Sequence, residues 1–253
     1  MKSAEQKAFR FPLTDVHCHI LPGVDDGASS MEVTAGMLEQ AYRDGIRTMI
    51  VTPHFRMGMF ETPGTCIREA FRETEAYAQA HFPEMKLVLG CEFHAFSEME
   101  EALKANPRFR LGGAYRVLLE FSGGDTPSYI RDRVLAAQRT GCRVIIAHAE
   151  RYAAIQQEES LLRDLVRMGA EIQVNADSLL GFDGWGIKRF SGKLLEKGLV
   201  SYIGSDAHNT TNRPNRLAEC ARYVEKKYGP GAAERIFSEN PETLLRAVLR
   251  TQG

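Results

Sequence analysis

Leu13-Thr14-Asp15-Val16-His17-Cys18-His19, followed by Ile20-Leu21-Pro22-Gly23-Val24-Asp25-Asp26-Gly27, is a strand-sized apolar run that ends in histidines and an acidic, glycine-closed turn. Further strand-sized runs, several of them also turning polar at the carboxyl end, occupy residues 47–52, 86–92, 116–121, 143–148, 171–175 and 199–205. Val, Ile and Leu dominate most of them, as in strands covered on both faces. Helical patterns fill the intervals, at residues 31–44, 66–81, 97–105, 128–140, 158–168, 188–197 and 214–227. Ser29 or Ser30 can cap the first helix, and Gly45, Gly141, Gly169 and Gly198 stand just past helix ends, where a left-handed residue costs little. A last amphipathic segment, 231–250, offers Ile236, Leu244, Leu245, Val248 and Leu249 for packing. Seven strand–helix units in regular alternation predict an α/β chain: a distorted, TIM-like parallel (β/α)7 barrel, with residues 1–253 as a single domain. An open doubly wound sheet is the alternative.

Composition narrows the function. The 253 residues are 43% hydrophobic, enough for one large core. Thirty-two basic against thirty-three acidic residues leave a net charge of −1, which disfavours non-specific nucleic-acid binding. No apolar run is long enough for a membrane span, and the polar stretch from Met1 to Arg10 lacks the apolar region of a secretory signal. Five scattered cysteines form no CxxC pair, as suits a reducing cytoplasm.

The residues that interrupt the apolar runs collect at the strands' carboxyl ends, the active face of a parallel barrel. A period of two puts His17 and His19 on one strand face, so both imidazoles can reach one cation. Later strands end in Thr52-Pro53-His54, Gly90-Cys91-Glu92, Leu119-Glu120, Ala147-His148-Ala149-Glu150-Arg151 and Ser205-Asp206-Ala207-His208. Alone, each histidine is more simply a hydrogen-bonded structural residue, and each buried glutamate a partner for an arginine. Together, His17, His19, His54, His148 and His208 stand with Asp26, Glu92, Glu120 and Asp206. Carboxylates so gathered repel and take up protons unless cations neutralise them. The set exceeds what one tetrahedral zinc uses; mixed imidazole and carboxylate ligands suit two or three Mn, Fe or Zn ions.

Other candidates read more plainly. His81 closes a helix, His94 follows Glu92 by two, and Cys18 is turned away from its flanking histidines. Cys66-Ile67-Arg68-Glu69-Ala70-Phe71-Arg72 has the C-x5-R spacing of cysteine-dependent phosphatases. It has none of the small residues that a phosphate-cradling loop requires, and reads as a charged helix.

The segments DVHCHILPGVDDG, TPHF, GCEFH, LLEF, AHAERY and GSDAHN, spread over nearly the whole chain, resemble the PHP (polymerase and histidinol phosphatase) superfamily. Within it they are most similar to the manganese-dependent protein-tyrosine phosphatases of bacterial capsule and exopolysaccharide systems, the CpsB/CapC type. The resemblance implies a PHP-type barrel with three Mn2+ sites: His17, His19, Glu92 and Asp206; Glu92, Glu120 and His148; and Asp26, His54 and His208. It also implies that Arg151 and Arg213 grip phosphate, and that the substrate is a phosphotyrosine protein, such as the tail of a bacterial tyrosine kinase. The chain departs from the family pattern in having Ala149 in place of proline, Asp177 within Asn175-Ala176-Asp177-Ser178-Leu179, and a Met- and Phe-rich loop at residues 55–62.

Physical chemistry supports such a reaction independently of the resemblance. Divalent ions lower the pKa of water and neutralise phosphoryl charge, while guanidinium forks hold non-bridging oxygens. No cysteine nucleophile is needed. Three rivals stand beside it: a small-molecule phosphoesterase such as a histidinol-phosphate phosphatase, an amidohydrolase-type metal hydrolase, and a non-catalytic metal-stabilised module.

Overall fold

The computed structural model describes residues 9–249, the last three by backbone alone; residues 1–8 and 250–253, at the ends of the predicted domain and of the last amphipathic segment, lie outside the described residues, as do the side chains of Val248 and Leu249. Nine strands form: β1 (Leu13–Cys18), β2 (Ile46–Val51), β3 (His54–Phe55), β4 (Lys86–Leu89), β5 (Glu92–His94), β6 (Arg116–Glu120), β7 (Arg143–Ile146), β8 (Glu171–Asn175) and β9 (Tyr202–Gly204). They occupy seven positions, because β3 continues β2 past Thr52-Pro53 and β5 continues β4 past Gly90-Cys91.

Every pairing between these strands is parallel, in the orders β1-β2-β4 and β3-β5-β6-β7-β8-β9. The ends meet where Cys18 bridges to Ala207 and the amides of His19 and Asp206 donate to the carbonyls of Ala207 and His17. The result is a distorted seven-position barrel, not an open doubly wound sheet. Its distortion is one seam: β5 pairs with β6, but β4 does not, and the turn Leu111–Gly113 lies near both.

Alternation along the strands separates two cores. Met49, Val51, Val117, Leu119, Val144, Ile146, Ile172 and Ile203 pack with helix residues such as Leu38, Ile130, Val134 and Leu165. The residues between them, Ile50, Leu118, Ile145 and Tyr202, join Val16, Leu111, Ala147 and Leu244 in a smaller cluster inside the ring. A bulge in β1 between Asp15 and Cys18 lets Val16 and then His17 both face inward.

The predicted helices form with small shifts at their ends, and Ser30 caps the first through a bond from the Val33 amide. Two short helices, Ala153–Gln157 and Ala176–Leu180, were not expected from the pattern. The last segment is a helical run interrupted by one wider turn. It is Pro230–Glu234, a π turn at Arg235–Glu239, then Asn240–Leu249. Pro241 lacks the N–H that an α-helical ladder needs there, and a wider turn precedes it.

Candidate metal centre

Four inward-facing imidazoles are held through Nδ1, three of them by acceptors that fix where the ring proton sits. His17 Nδ1 meets Gln173 Oε1 at 3.1 Å, and that oxygen also accepts from the His148 amide at 2.8 Å. His19 Nδ1 donates to Asp25 Oδ2 at 2.9 Å, and His208 Nδ1 to the Asp206 carbonyl at 2.8 Å. Acceptors opposite Nδ1 leave Nε2 as a lone pair aimed into the barrel. His148 Nδ1 faces the Tyr152 hydroxyl at 3.1 Å, and that hydroxyl is fixed by the Phe121 amide. Asp15, beside the site, is occupied otherwise: it accepts from the Ser205 amide and hydroxyl and from Asn215, tying β1 to the chain after β9.

The lone pairs converge. His17 Nε2 and His19 Nε2 lie 3.1 Å apart, at 3.0 and 3.1 Å from Glu92 Oε2 and each 3.5 Å from Asp206 Oδ1. His148 Nε2 stands 2.8 Å from Glu92 Oε1 and 3.9 Å from Glu120 Oε1. His54 turns Nδ1 to Glu92 at 3.1 Å and Glu120 at 3.9 Å, and Nε2 to Asp26 at 3.5 Å. His208 Nε2 is also 3.5 Å from Asp26. Three groups have ligand geometry: His17, His19, Glu92 and Asp206; His19, Asp26, His54 and His208; and His54, Glu92 and Glu120. The first is one of the sets that the resemblance implies, and the second is another of them, Asp26, His54 and His208, with His19 added. In the third, His54 stands with the two glutamates, while His148 approaches them from the strand end of β7.

Electrostatics favour a cation. Burial pushes the Glu120 carboxyl up, and the neighbouring Glu92 adds to the shift, whereas His17 and His54 hold Glu92 well down despite its own burial. Burial also holds the His54 imidazole down, at about 4. Asp25 is buried too, yet His19 and the amides of His54 and Gly27 keep it at about 2. His54 Nδ1, Glu92 Oε2, Glu120 Oε2 and His208 Nε2 are buried with no hydrogen-bond partner among the described residues. Orphaned acceptors of both kinds in one pocket are what bound divalent ions would satisfy.

The backbone is shaped to fit. His148 and Asp206 are the non-glycine residues with positive φ among those described, at 28° and 54°. Such strain gathers at sites whose side chains must be aimed. A Cβ on Gly27 would lie 2.2 Å from the His19 carbonyl, so the Asp25-Asp26-Gly27 turn can lie against His19 only with glycine there.

Arg151 and Arg213 meet at one atom. Arg151 Nη1 and Arg213 Nη2 each donate to Asp206 Oδ2 at 2.9 Å, and Arg151 Nη2 also reaches Asp183 at 3.1 Å. Both line a cleft of about 380 Å³ over the cluster, with Arg56, Met59, Phe60 and Tyr152. Phe60 stacks on the His54 ring at 5.0 Å. Arg56, Asp25, Gln173 and Asn175 were not singled out from sequence. The polar residues at alternate positions of β8, Glu171, Gln173 and Asn175, are the signal that could have marked two of them.

The remaining candidates fall outside the cluster. His94 bonds Ser122, exposed His81 packs on Tyr77, and the Cys18 thiol points to the Ile50 carbonyl. Cys66 lies exposed in the first turn of helix Gly64–His81, with no phosphate-cradling loop. Asp177 is paired with Arg216 at 3.0 Å.

Residues 13–246 match the family described as capsular polysaccharide synthesis, CpsB/CapC. The tyrosine-protein phosphatase YwqE of Bacillus subtilis (strain 168) is 34% identical over 234 residues, which cover 92% of each chain. A crystal structure from the pair YwqE of Bacillus subtilis and CpsB of Streptococcus pneumoniae, described as unique metal-dependent tyrosine phosphatases, superimposes with a TM-score of 0.86 at 34% identity, over 93% of this chain and 95% of that one. The phosphotriesterase homology protein of Escherichia coli shares the fold alone, with a TM-score of 0.60 at 12% identity over 92% and 98% of the two chains.

Proposed function

This chain belongs to the CpsB/CapC family of capsular polysaccharide synthesis, and from that premise we propose that its cleft hydrolyses protein phosphotyrosine in a metal-dependent reaction. The enzyme is a phosphatase, a phosphoric monoester hydrolase. One observation carries the assignment: two imidazole lone pairs and two carboxylates converge within 3.5 Å, with two arginines on the outer oxygen of one of those carboxylates.

Three cation positions are assigned: His17, His19, Glu92 and Asp206; Glu92, Glu120 and His148; and Asp26, His54 and His208, with Glu92 shared by the first two. Mn2+ suits these mixed nitrogen and oxygen ligands, and Fe or Zn are the other candidates. When bound, such ions neutralise phosphoryl charge and make water a nucleophile near neutral pH.

The chain's own residues supply the rest. Arg151 and Arg213 turn planar donors toward the cleft, where phosphoryl oxygens can take over bonds now made to Asp206. Gln173, Asp25 and Tyr152 hold the imidazoles in orientation, which costs nothing at the moment of reaction. Phe60 and Met59 give the rim an apolar wall for a phenyl ring. The departing phenolate, with pKa about 10, is a better leaving group than an alkoxide. We assign the substrate as a phosphotyrosyl protein of the cytoplasm, such as a bacterial tyrosine kinase's tail, and residues 1–253 as one PHP metallophosphatase domain. Among the described residues no helix is long and apolar enough to cross a membrane.

Steady-state rates on a phosphotyrosine peptide, a phosphoserine peptide and histidinol phosphate, with metal content measured on the same protein, test the assignment. Metal-dependent turnover should be fastest on phosphotyrosine. Turnover of histidinol phosphate with none on the phosphotyrosine peptide would instead favour the small-molecule phosphoesterase.

A further inference from the structure

A second cavity stands apart from the catalytic cleft. It is a groove of about 700 Å³ at the barrel's open seam, between helix Gly64–His81, strand β4 and residues 107–113. Six consecutive residues, Lys86 to Cys91, line it. Side chains on a strand alternate between faces, so a surface touched by every residue in turn is the strand's edge. That edge is free: β4 pairs with β2 on one side and with no strand on the other among the described residues. Over the four residues of β4, Lys86–Leu89, it is about 13 Å long.

The walls are apolar and underfilled. Helix Gly64–His81 fully buries only Thr74 and Ala78, leaving Ile67 and Phe71 half-buried over the groove, opposite Phe109. The charge around it is one-sided. Arg68, Lys86, Arg108 and Arg110 line the groove against the single carboxylate of Glu75. None of these cations lies in an ion pair among the described residues, and the Nε atoms of Arg108 and Arg110 are buried without a hydrogen-bond partner. Pro53 and His54 line the groove's inner end, and His54 also lines the catalytic cleft.

A free strand edge offers backbone donors and acceptors to an extended chain, and the side pockets select what that chain carries. We propose that this groove docks an extended segment of the phosphotyrosyl protein substrate, with alternating apolar and acidic residues, as an added strand along β4; the assignment rests on the phosphatase function above. Apolar side chains would face Phe71 and Phe109, and acidic ones would meet the four cations.

The test compares two phosphotyrosine peptides: a short core, and the same core joined by a flexible linker to about eight alternating Val and Glu residues. In the wild-type holoenzyme, KM for the extended peptide should be about tenfold lower, with kcat unchanged. In the Arg68→Glu, Lys86→Glu double variant, both substitutions at exposed positions, that advantage should vanish while p-nitrophenyl phosphate kinetics stay at wild-type values. N-methylation of alternate amides in the extension should also abolish it, with no change to the protein. Equal KM for the two peptides in the wild type, or an advantage that survives both changes, would overturn the docking site. Fluorescence anisotropy of the labelled extension alone reads binding without catalysis. If phosphotyrosine is not hydrolysed but the labelled extension binds the wild type and not the double variant, the phosphatase assignment fails while the groove remains a peptide site.

Discussion

The two ends of the barrel interior are built from the same strands and differ in almost everything else. At one end Val16, Ile50, Leu118, Ile145 and Leu244 form a small hydrocarbon cluster. One to three residues further along those strands stand His17, Glu120 and His148, with unsatisfied acceptors on Glu92, Glu120 and His208 and positive φ at His148 and Asp206. The apolar end stabilises by burial, at roughly 25 cal/mol per Å². The polar end repels itself and strains its backbone, so within the same strands it is the costly half. Function sits where the fold is least comfortable.

Neutralising one ligand should have the largest effect. Glu92→Gln should lower kcat/KM on a phosphotyrosine peptide by about a thousandfold or more, because Glu92 faces His17, His19, His54 and His148 together. In metal-free protein Glu120→Gln should raise the midpoint of thermal unfolding at pH above about 7, since burial and the neighbouring Glu92 push the Glu120 carboxyl up to about 7 and the change removes that buried charge. A lower midpoint would mean that the cluster is a stabilising network, and the contrast between the two ends would be lost.

Ile145→Ala should do the converse at the apolar end. It should cost about 2–5 kcal/mol in denaturant unfolding. The kcat/KM of the folded fraction should stay near wild type; a large loss there would show that the two ends are mechanically coupled.

Arg151→Ala and Arg213→Ala probe the rim. Each should lower kcat/KM by roughly ten- to a thousandfold, about 1.4–4 kcal/mol, with metal content unchanged. Lysine at either position should rescue only in part, because a point charge does not reproduce the planar fork. Wild-type kinetics from both alanine variants would move the phosphate elsewhere in the cleft.

The smallest effect belongs to the supporting layer. Asp25→Asn keeps the shape of the residue but weakens its hold on the His19 ring, and should reduce metal affinity by about ten- to a hundredfold, read by titration. An unchanged affinity would leave Asp25 as an anchor of the loop before Gly27 and nothing more.

Much of this architecture is legible in the sequence because it is repetitive. Most of the seven strand positions announce themselves by a Val/Ile/Leu run, and residues 171–175 match β8 end to end. The nine candidate ligands stand out because charged and imidazole groups interrupt apolar runs at one end. The breaks at Thr52-Pro53 and Gly90-Cys91 are not legible, since they depend on how the ring closes and where its seam falls. The same holds for Asp25 and Gln173, whose roles arise only when distant strands bring His19 and His17 against them. Arg56 is one arginine among many until the hairpin formed by its bond with Phe60 carries it to the cleft.

The most direct test is the metal itself. Protein stripped with a chelator and shown by elemental analysis to be metal-free should not hydrolyse p-nitrophenyl phosphate or a phosphotyrosine peptide. Titration should restore both activities together, Mn2+ most fully, with saturation at two to three ions per chain. Full activity in protein verified to be metal-free would contradict the account at its centre, whatever the fold or the family.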